Sequence, residues 1–310
     1  MHMAGHILLT GGAGFIGSAI ARRLASTGHR TVVVDKLTYA GRKENLDGVN
    51  VELVVGDVCD KALIRELVDG ADAVIHAAAE SHVTRSLEDG SPFIRTNIEG
   101  SRVVVQAAAD ASVPHCIHLS TDEVFGPAAH GERFTIHSPH RPSNAYAASK
   151  SAAEAFIRSI EHRSHYACSV VRMTNNYGPR QHPEKAIPCW IEHALDNKSI
   201  PIHGKGLAER DWLHVEDFCT GILSVLHHGN PGEIHHFSGG NSLPNRQVAE
   251  KIAAHCGGQS IIEGPERPGQ DARYGLDDSH TREKLRWEPR FNFDTGLKDL
   301  IEWTRDGREA

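Results

Sequence analysis

Residues 10–18 read TGGAGFIGS and sit between two differently patterned stretches. Before them, His6–Leu9 is a short apolar run. After them, Ile20, Ala21 and Leu24 keep helical spacing up to a stop signal at Gly28. A strand, a glycine turn and a helix in that order open a nucleotide-binding α/β unit. Gly12-x-Gly14-x-x-Gly17 supplies the small residues needed where a backbone turns sharply, touches a pyrophosphate and points helix N–H groups at it. The next strand, Thr31–Val34, ends in Asp35. A carboxylate at that place accepts both ribose hydroxyls of NAD and repels a 2′-phosphate, so the spacing favours NAD over NADP. Asp57, after a third strand at Val51–Val55, is either an adenine-side contact or a cap for the following helix.

The alternation continues outward. Helix Lys61–Val68, strand Ala73–His76, a helix through Asn97–Ala111, strand Cys116–Ser120, helix Tyr146–Ile160 and strand Cys168–Met173 follow in turn. Continuously apolar strands alternating with helices imply a parallel sheet covered on both faces. The expected fold is α/β: a Rossmann-type doubly wound parallel sheet over residues 1–173, then a smaller mixed α/β substrate-binding domain over 174–310. In that second part, proline and glycine punctuate short pieces. A segment near 212–238, with helix Val215–His227, is expected to pack back on the first domain. A last helix around Thr295–Arg305 puts Leu297, Leu300 and Ile301 on one stripe.

Composition narrows the function. The 310 residues carry 33 Lys and Arg against 40 Asp and Glu, a net charge of −7, which argues against a nucleic-acid binder. No apolar run is long enough to span a membrane, and Met1–Gly12 lacks the basic start of a signal peptide. The six cysteines (59, 116, 168, 189, 219 and 256) form no Cys-x-x-Cys pair, which reads as a reduced, cytoplasmic protein. Twenty-two histidines include the pairs His227–His228 and His235–His236 and the cluster His130, His137 and His140. They show no metal-ligand spacing, so no metal is expected, and they read as a solvated, imidazole-rich surface.

Two constellations carry chemistry. Tyr146-x-x-x-Lys150 places both side chains on one helix face, where an ammonium favours phenolate and makes tyrosine a usable base. Ser120-Thr121-Asp122-Glu123-Val124-Phe125-Gly126 follows a buried strand, at the end where open parallel sheets hold their ligands. Adjacent carboxylates there carry desolvation and repulsion costs that a structural loop has little reason to bear. A raised pKa on one makes an acid and leaves its neighbour as a base, which is what eliminating water requires.

At these residues the chain resembles the extended short-chain dehydrogenase/reductases, and within them the dTDP-glucose 4,6-dehydratases. The resemblance runs nearly end to end through TGGAGFIGS (10–18, with the variant spacing Gly11-x-x-Gly14-x-x-Gly17), DKLTYAG (35–41), GDVCD (56–60), AAAESHVTRS (77–86), TNIEG (96–100), LSTDEVFG (119–126), YAASK (146–150), NNYGPRQHPEKAIP (175–188), GKGLAERDWLHVED (204–217) and RPGQDARY (267–274). STDEV discriminates, because related 4-epimerases and decarboxylases typically lack the Asp-Glu pair.

The resemblance implies a nucleoside-diphosphate hexose as substrate and a homodimer. It also implies that Tyr146, with Thr121 and Lys150, takes the O4 proton while NAD accepts hydride from C4. Glu123 then removes the C5 proton, Asp122 protonates the departing 6-hydroxyl, and hydride returns to C6. The implied NAD contacts are Gly11, Gly14, Phe15, Ile16, Gly17, Asp35, Lys36, Thr38, Asp57, Val58, Ala78, Ala79, Ser81, Thr96, Tyr146, Lys150 and Asn176. The implied substrate contacts are Ser81, Thr121, Asn175, Lys185, Ala186, Pro201, His203, Arg210, Asn245, Arg267 and Tyr274. The chain departs from the family pattern at Thr84 (often Asp), Phe125 (often Tyr), Gln270 (often His) and Asn144-Ala145 before Tyr146. Gln270 and Ala272 leave the base, thymine or uracil, open. A sugar-nucleotide 4-epimerase and a dehydratase of a UDP-sugar are the competing readings.

Overall fold

A computed structural model describes residues 5–309; Met1–Ala4, His2 among them, and Ala310 lie outside the described residues. Among the described residues, twelve strands occur in chain order: β1 (His6–Thr10), β2 (Thr31–Asp35), β3 (Glu52–Val55), β4 (Ala71–His76), β5 (His115–Leu119), β6 (Ser169–Met173), β7 (Asn175–Tyr177), β8 (Ile200–His203), β9 (Glu209–His214), β10 (Ile234–Phe237), β11 (Ser242–Pro244) and β12 (Ile261–Gly264). Seven of them form one sheet in the order β10-β6-β5-β4-β1-β2-β3, and every pairing in it is parallel. The remaining strands make a three-stranded sheet, β11-β9-β7, and a β12-β8 pair.

The apolar runs explain why the sheet is buried on both sides. Side chains alternate along a strand, so Ile7 and Leu9 enter one core while Leu8 enters the other. Val33 likewise parts from Val32 and Val34, and Ile75 from Val74. Helices Phe15–Ser26 and Val215–His228 cover the first face and pack on each other; Lys61–Val68, Ser101–Asp110 and Ala145–Ser164 cover the second. A third core, with Tyr177, Trp190, Trp212 and Phe293, holds the later elements together.

Two differences from the sequence reading concern local chemistry. The expected helix through Asn97–Ala111 begins as a π-helical stretch at Ile94–Gly100, with regular α-helix only from Ser101 to Asp110. The histidines are not simply a solvated surface. His130, His137, His227 and His228 are exposed, but His76, His118, His214, His235 and His236 are buried. Histidine pattern alone does not separate a half-polar strand from a surface turn, and His235 and His236 lie in β10 at the sheet edge.

Beneath the end of β5 lies a buried ion pair. Glu154 accepts from Arg172 Nη2 at 2.6 Å and Nε at 3.1 Å, and from Ser120 Oγ at 2.5 Å. Burial alone would raise the Glu154 carboxyl, but the Arg172 bonds and charge hold it below the ordinary range. Phe125 lies under the Arg172 guanidinium, 4.9 Å from ring centre to charge. Arg172→Leu leaves that carboxylate buried without its cation and is expected to lower stability by about 3–5 kcal/mol. Urea unfolding with a lower midpoint and an unchanged slope would show it; a loss under about 1 kcal/mol would contradict the assignment.

Candidate active site

The glycine turn joins β1 to helix Phe15–Ser26 by close backbone contact. A Cβ on Gly17 would lie 2.0 Å from the Gly11 carbonyl oxygen, so packing alone demands glycine there. At Gly14 a Cβ would meet only that oxygen, at 3.4 Å, so the protein itself makes no comparable demand. Gly14 is also the N-cap and gives the helix no side-chain cap, leaving its first N–H groups free for an anion. Asp35 is held by two backbone donors, Ala13 N–H at 2.9 Å and Leu37 N–H at 2.8 Å.

These pieces line one cleft of about 820 Å³ along the strand ends. All seventeen residues expected at NAD line it, as do Thr121, Asp122, Glu123, Asn175 and Lys185. A dinucleotide fits the donors and acceptors on offer: the side-chain oxygens of Thr174, Asn175 and Asn176 are buried without a partner, as is Asp122 Oδ2. Asp57 does not cap the following helix; Asp60 does, accepting from Ala62 and Leu63 N–H. Burial would raise the Asp57 carboxyl, but Lys36 at 2.8 Å and the Cys59 N–H bring it to about 2.

At the other end, Thr121 caps the Asp122–Phe125 turn and donates to Asp122 Oδ1 at 3.1 Å. Asp122 is 4% exposed. Burial first, then the Glu123 charge, pushes its carboxyl up to about 8, so it keeps its proton at neutral pH. The sequence reading left the neighbour unraised. Instead burial raises Glu123 too, opposed by Asn144, Arg210, Lys185 and Tyr274. Asn144 Nδ2 donates to Glu123 Oε2 at 3.1 Å, and Tyr274 O–H donates to the same oxygen at 3.3 Å.

Asn144 also caps the Ala145–Ser164 helix, its Oδ1 accepting from Ala147 N–H at 2.8 Å. One residue therefore sets both the start of the Tyr146–Lys150 helix and the place of Glu123. The sequence reading noted Asn144 only as a departure from pattern. Lys150 and Tyr146 share a helix face, but the ammonium turns inward to the Leu119 carbonyl oxygen at 2.6 Å. Burial, then Glu123, pushes the Tyr146 phenol well up, against a hydrogen bond from Thr121. The expected lowering by Lys150 is not present in this geometry.

Arg210, Arg267 and Tyr274 stand behind Glu123 rather than on the cleft wall. Arg210 lies over the Tyr274 ring at 4.7 Å and donates to the Asp271 carbonyl, while Arg267 donates to Thr84 Oγ1 at 3.1 Å. Ala186, Pro201, His203 and Asn245 are not brought to the cleft. The Pro201 carbonyl accepts from Trp190 Nε1, and His203 is exposed near Pro265. Sequence reasoning missed Glu80, Gln181 and His182, which line the cleft, and Tyr39, Arg85 and Glu184 beside it. The Arg85 guanidinium sits 3.7 Å over the Tyr39 ring and 3.0 Å from Glu184, joining two walls. The near-adjacent polar residues of AAAESHVTRS and HPEK were the signal available for these.

Comparison with known proteins agrees with this geometry. Residues 7–238 match the NAD dependent epimerase/dehydratase family. A dTDP-glucose 4,6-dehydratase of Streptomyces niveus is 42% identical, over 97% of this chain and 93% of its own. Among solved structures, a dTDP-glucose 4,6-dehydratase of Streptomyces venezuelae with NAD bound is 38% identical, with a TM-score of 0.95 over 98% of both chains. A UDP-glucose 4-epimerase of Thermotoga maritima with UDP-glucose is 27% identical, with a TM-score of 0.93 over 98% of this chain and 99% of its own.

Because the Glu123 charge is the second cause of the Asp122 shift, Glu123→Gln should bring the Asp122 carboxyl down from about 8. It should stay above the ordinary aspartate value, since burial is the larger cause. Infrared titration of the carboxyl band would follow this, and an unmoved Asp122 would contradict the coupling.

Proposed function

The chain belongs to the NAD dependent epimerase/dehydratase family, and we propose that it dehydrates a nucleoside-diphosphate hexose, dTDP-glucose first among them, to the 4-keto-6-deoxy sugar. It is an NAD-dependent 4,6-dehydratase. The observation that carries the reading is the Asp122–Glu123 pair at the end of β5, Asp122 buried and Glu123 partly buried on the cleft wall beside it.

NAD, when bound, would supply the two-electron chemistry of C4 oxidation and C6 reduction. The glycine turn and the helix N–H groups would hold its pyrophosphate, and Asp35 would take its ribose hydroxyls. Tyr146 must act as phenolate to accept the O4 proton as the C4–H bond breaks, so Thr121 and Lys150 have to offset the burial that raises its phenol. The new C4 ketone acidifies C5–H, and Glu123 takes that proton. Asp122 gives its proton to the 6-hydroxyl as the C6–O bond breaks, so water leaves and a C5–C6 double bond forms. Glu123 then returns its proton to C5 as C6 is reduced. The net change is loss of one water. Lys185 on the cleft wall suits the diphosphate; Arg210 and Arg267, behind Glu123, would have to turn from the Asp271 carbonyl and Thr84 to donate to it in pairs.

Six free thiols support a reducing, cytoplasmic setting. A homodimer is supported by Phe156 on the Ala145–Ser164 helix, 44% exposed, and by Ile94 in the π-helical stretch packed beside it, 60% exposed.

Incubation with dTDP-glucose, UDP-glucose and UDP-N-acetylglucosamine, read by mass spectrometry, should give a product lighter by one water, with dTDP-glucose preferred. Unchanged mass with an inverted C4 centre would replace dehydration by epimerisation. The elimination rate should fall above pH about 8, where Asp122 loses the proton it must donate, and fall again in acid as Glu123 takes one up. Glu123→Gln should still oxidise C4 but stall at elimination. Exchange of the C5 proton for deuterium at the unmodified rate would contradict its role as base.

A further inference from the structure

Lys150 lines the cleft but ends in a buried, polar corner. Its ammonium donates to the Leu119 carbonyl oxygen at 2.6 Å and lies 3.3 Å from His118 Nε2. Three titratable groups face it: Glu154 one turn along its own helix, His118 from β5 and His76 from β4, while Tyr146 lies one turn before it on the same helix. Glu154 is already engaged by Arg172 and Ser120, so the ammonium meets neutral acceptors instead of a free carboxylate.

The hydrogen bonds fix what His76 is. Ser101 Oγ donates to the Asn97 carbonyl at 2.6 Å, so the serine oxygen accepts from His76 Nε2–H at 2.9 Å. His76 Nδ1 therefore accepts from Thr10 O–H at 2.7 Å, and Thr10 Oγ1 accepts from Ala78 N–H at 3.1 Å. His76 is neutral and locked, with its ring 5.3 Å from that of His118. An ammonium has three donors and no acceptor, so an imidazole nitrogen facing it must be the acceptor. Against an ammonium, that makes His118 neutral with its hydrogen on Nδ1, a buried nitrogen with no hydrogen-bond partner of its own. The proposed reaction gives His118 no part, although it is wholly buried beside a residue that lines the cleft.

We propose that His118 is the positioning residue for Lys150: its Nε2 accepts from the ammonium, keeps it protonated and holds it at the end of β5 beside Tyr146. This rests on the reading of Lys150 as part of the oxidising site. Burial draws the Lys150 ammonium down to about 8, so the loss of one acceptor falls within the working pH range. Removing an acceptor favours the uncharged amine, and the ammonium is then lost at lower pH.

The test uses the NAD-loaded protein, with C4 oxidation followed by nicotinamide absorbance across pH, which keeps it apart from the elimination governed by Asp122. His118→Leu should move the alkaline limb of this step toward acid by about one pH unit, while bound NAD content stays the same. His118→Gln, which keeps an acceptor, should restore at least half of that shift. A leucine limb that coincides with the native one, or a glutamine limb no better than leucine, overturns the proposal. If the leucine protein fails to fold, ¹⁵N-histidine NMR of the native protein decides. The proposal requires a neutral His118 with its hydrogen on Nδ1, and a hydrogen on Nε2 or a doubly protonated ring overturns it. A native protein that oxidises none of the three sugar nucleotides would fail the proposed function, and the NMR result would still judge the pairing.

Discussion

Two carboxyl groups at consecutive positions cannot both be charged where water scarcely reaches them. This constraint orders the rest of the site. Asp122 keeps its proton because burial and Glu123 together make its charge too costly, while Asn144, Tyr274 and the nearby cations favour the charged form of Glu123. In the proposed reaction the acid and the base are thus set apart by surroundings, from two side chains of nearly the same chemistry. The surroundings in turn need a stiff footing. The Ser120–Glu154–Arg172 contacts supply it directly beneath the turn that carries the pair.

Fold resemblance alone does not reach this far. A dehydratase and a 4-epimerase both superimpose closely on the chain. The sheet, the glycine turn and the Tyr146–Lys150 helix serve either reaction, since both begin by oxidising C4. What separates them is whether a proton donor and a proton acceptor stand where C5 and C6 would lie. That information is in residues 121–123 and their neighbours, not in the topology.

Much of this was legible in the chain itself, wherever function depends on local pattern. TGGAGFIGS between a strand and a helix, with Asp35 ending the next strand, and STDEV after β5 all pointed to residues that line one cleft. Less legible was anything settled by contact between distant segments. Residues 118 and 150 are far apart in sequence, and only the packing of a helix on β5 brings the ammonium to His118 and the Leu119 carbonyl. The buried histidines were hidden for the same reason: imidazole is polar enough to read as surface until its two nitrogens are traced to Thr10 and Ser101. Pro201 and His203 matched a family pattern, yet β8 carries them to a separate two-stranded sheet away from the cleft.

One topological detail bears on how the molecule could be taken apart. β10 completes the large sheet beside β6, although it comes from a segment well past the chain's natural midpoint. A fragment truncated just after β6 would therefore end in an unpaired, apolar border open to any passing strand. Such a fragment would tend to clump instead of standing alone, so the chain is best regarded as one inseparable unit of expression. A swap of the distal lobe between relatives would have to leave Ile234–Phe237 with its original sheet.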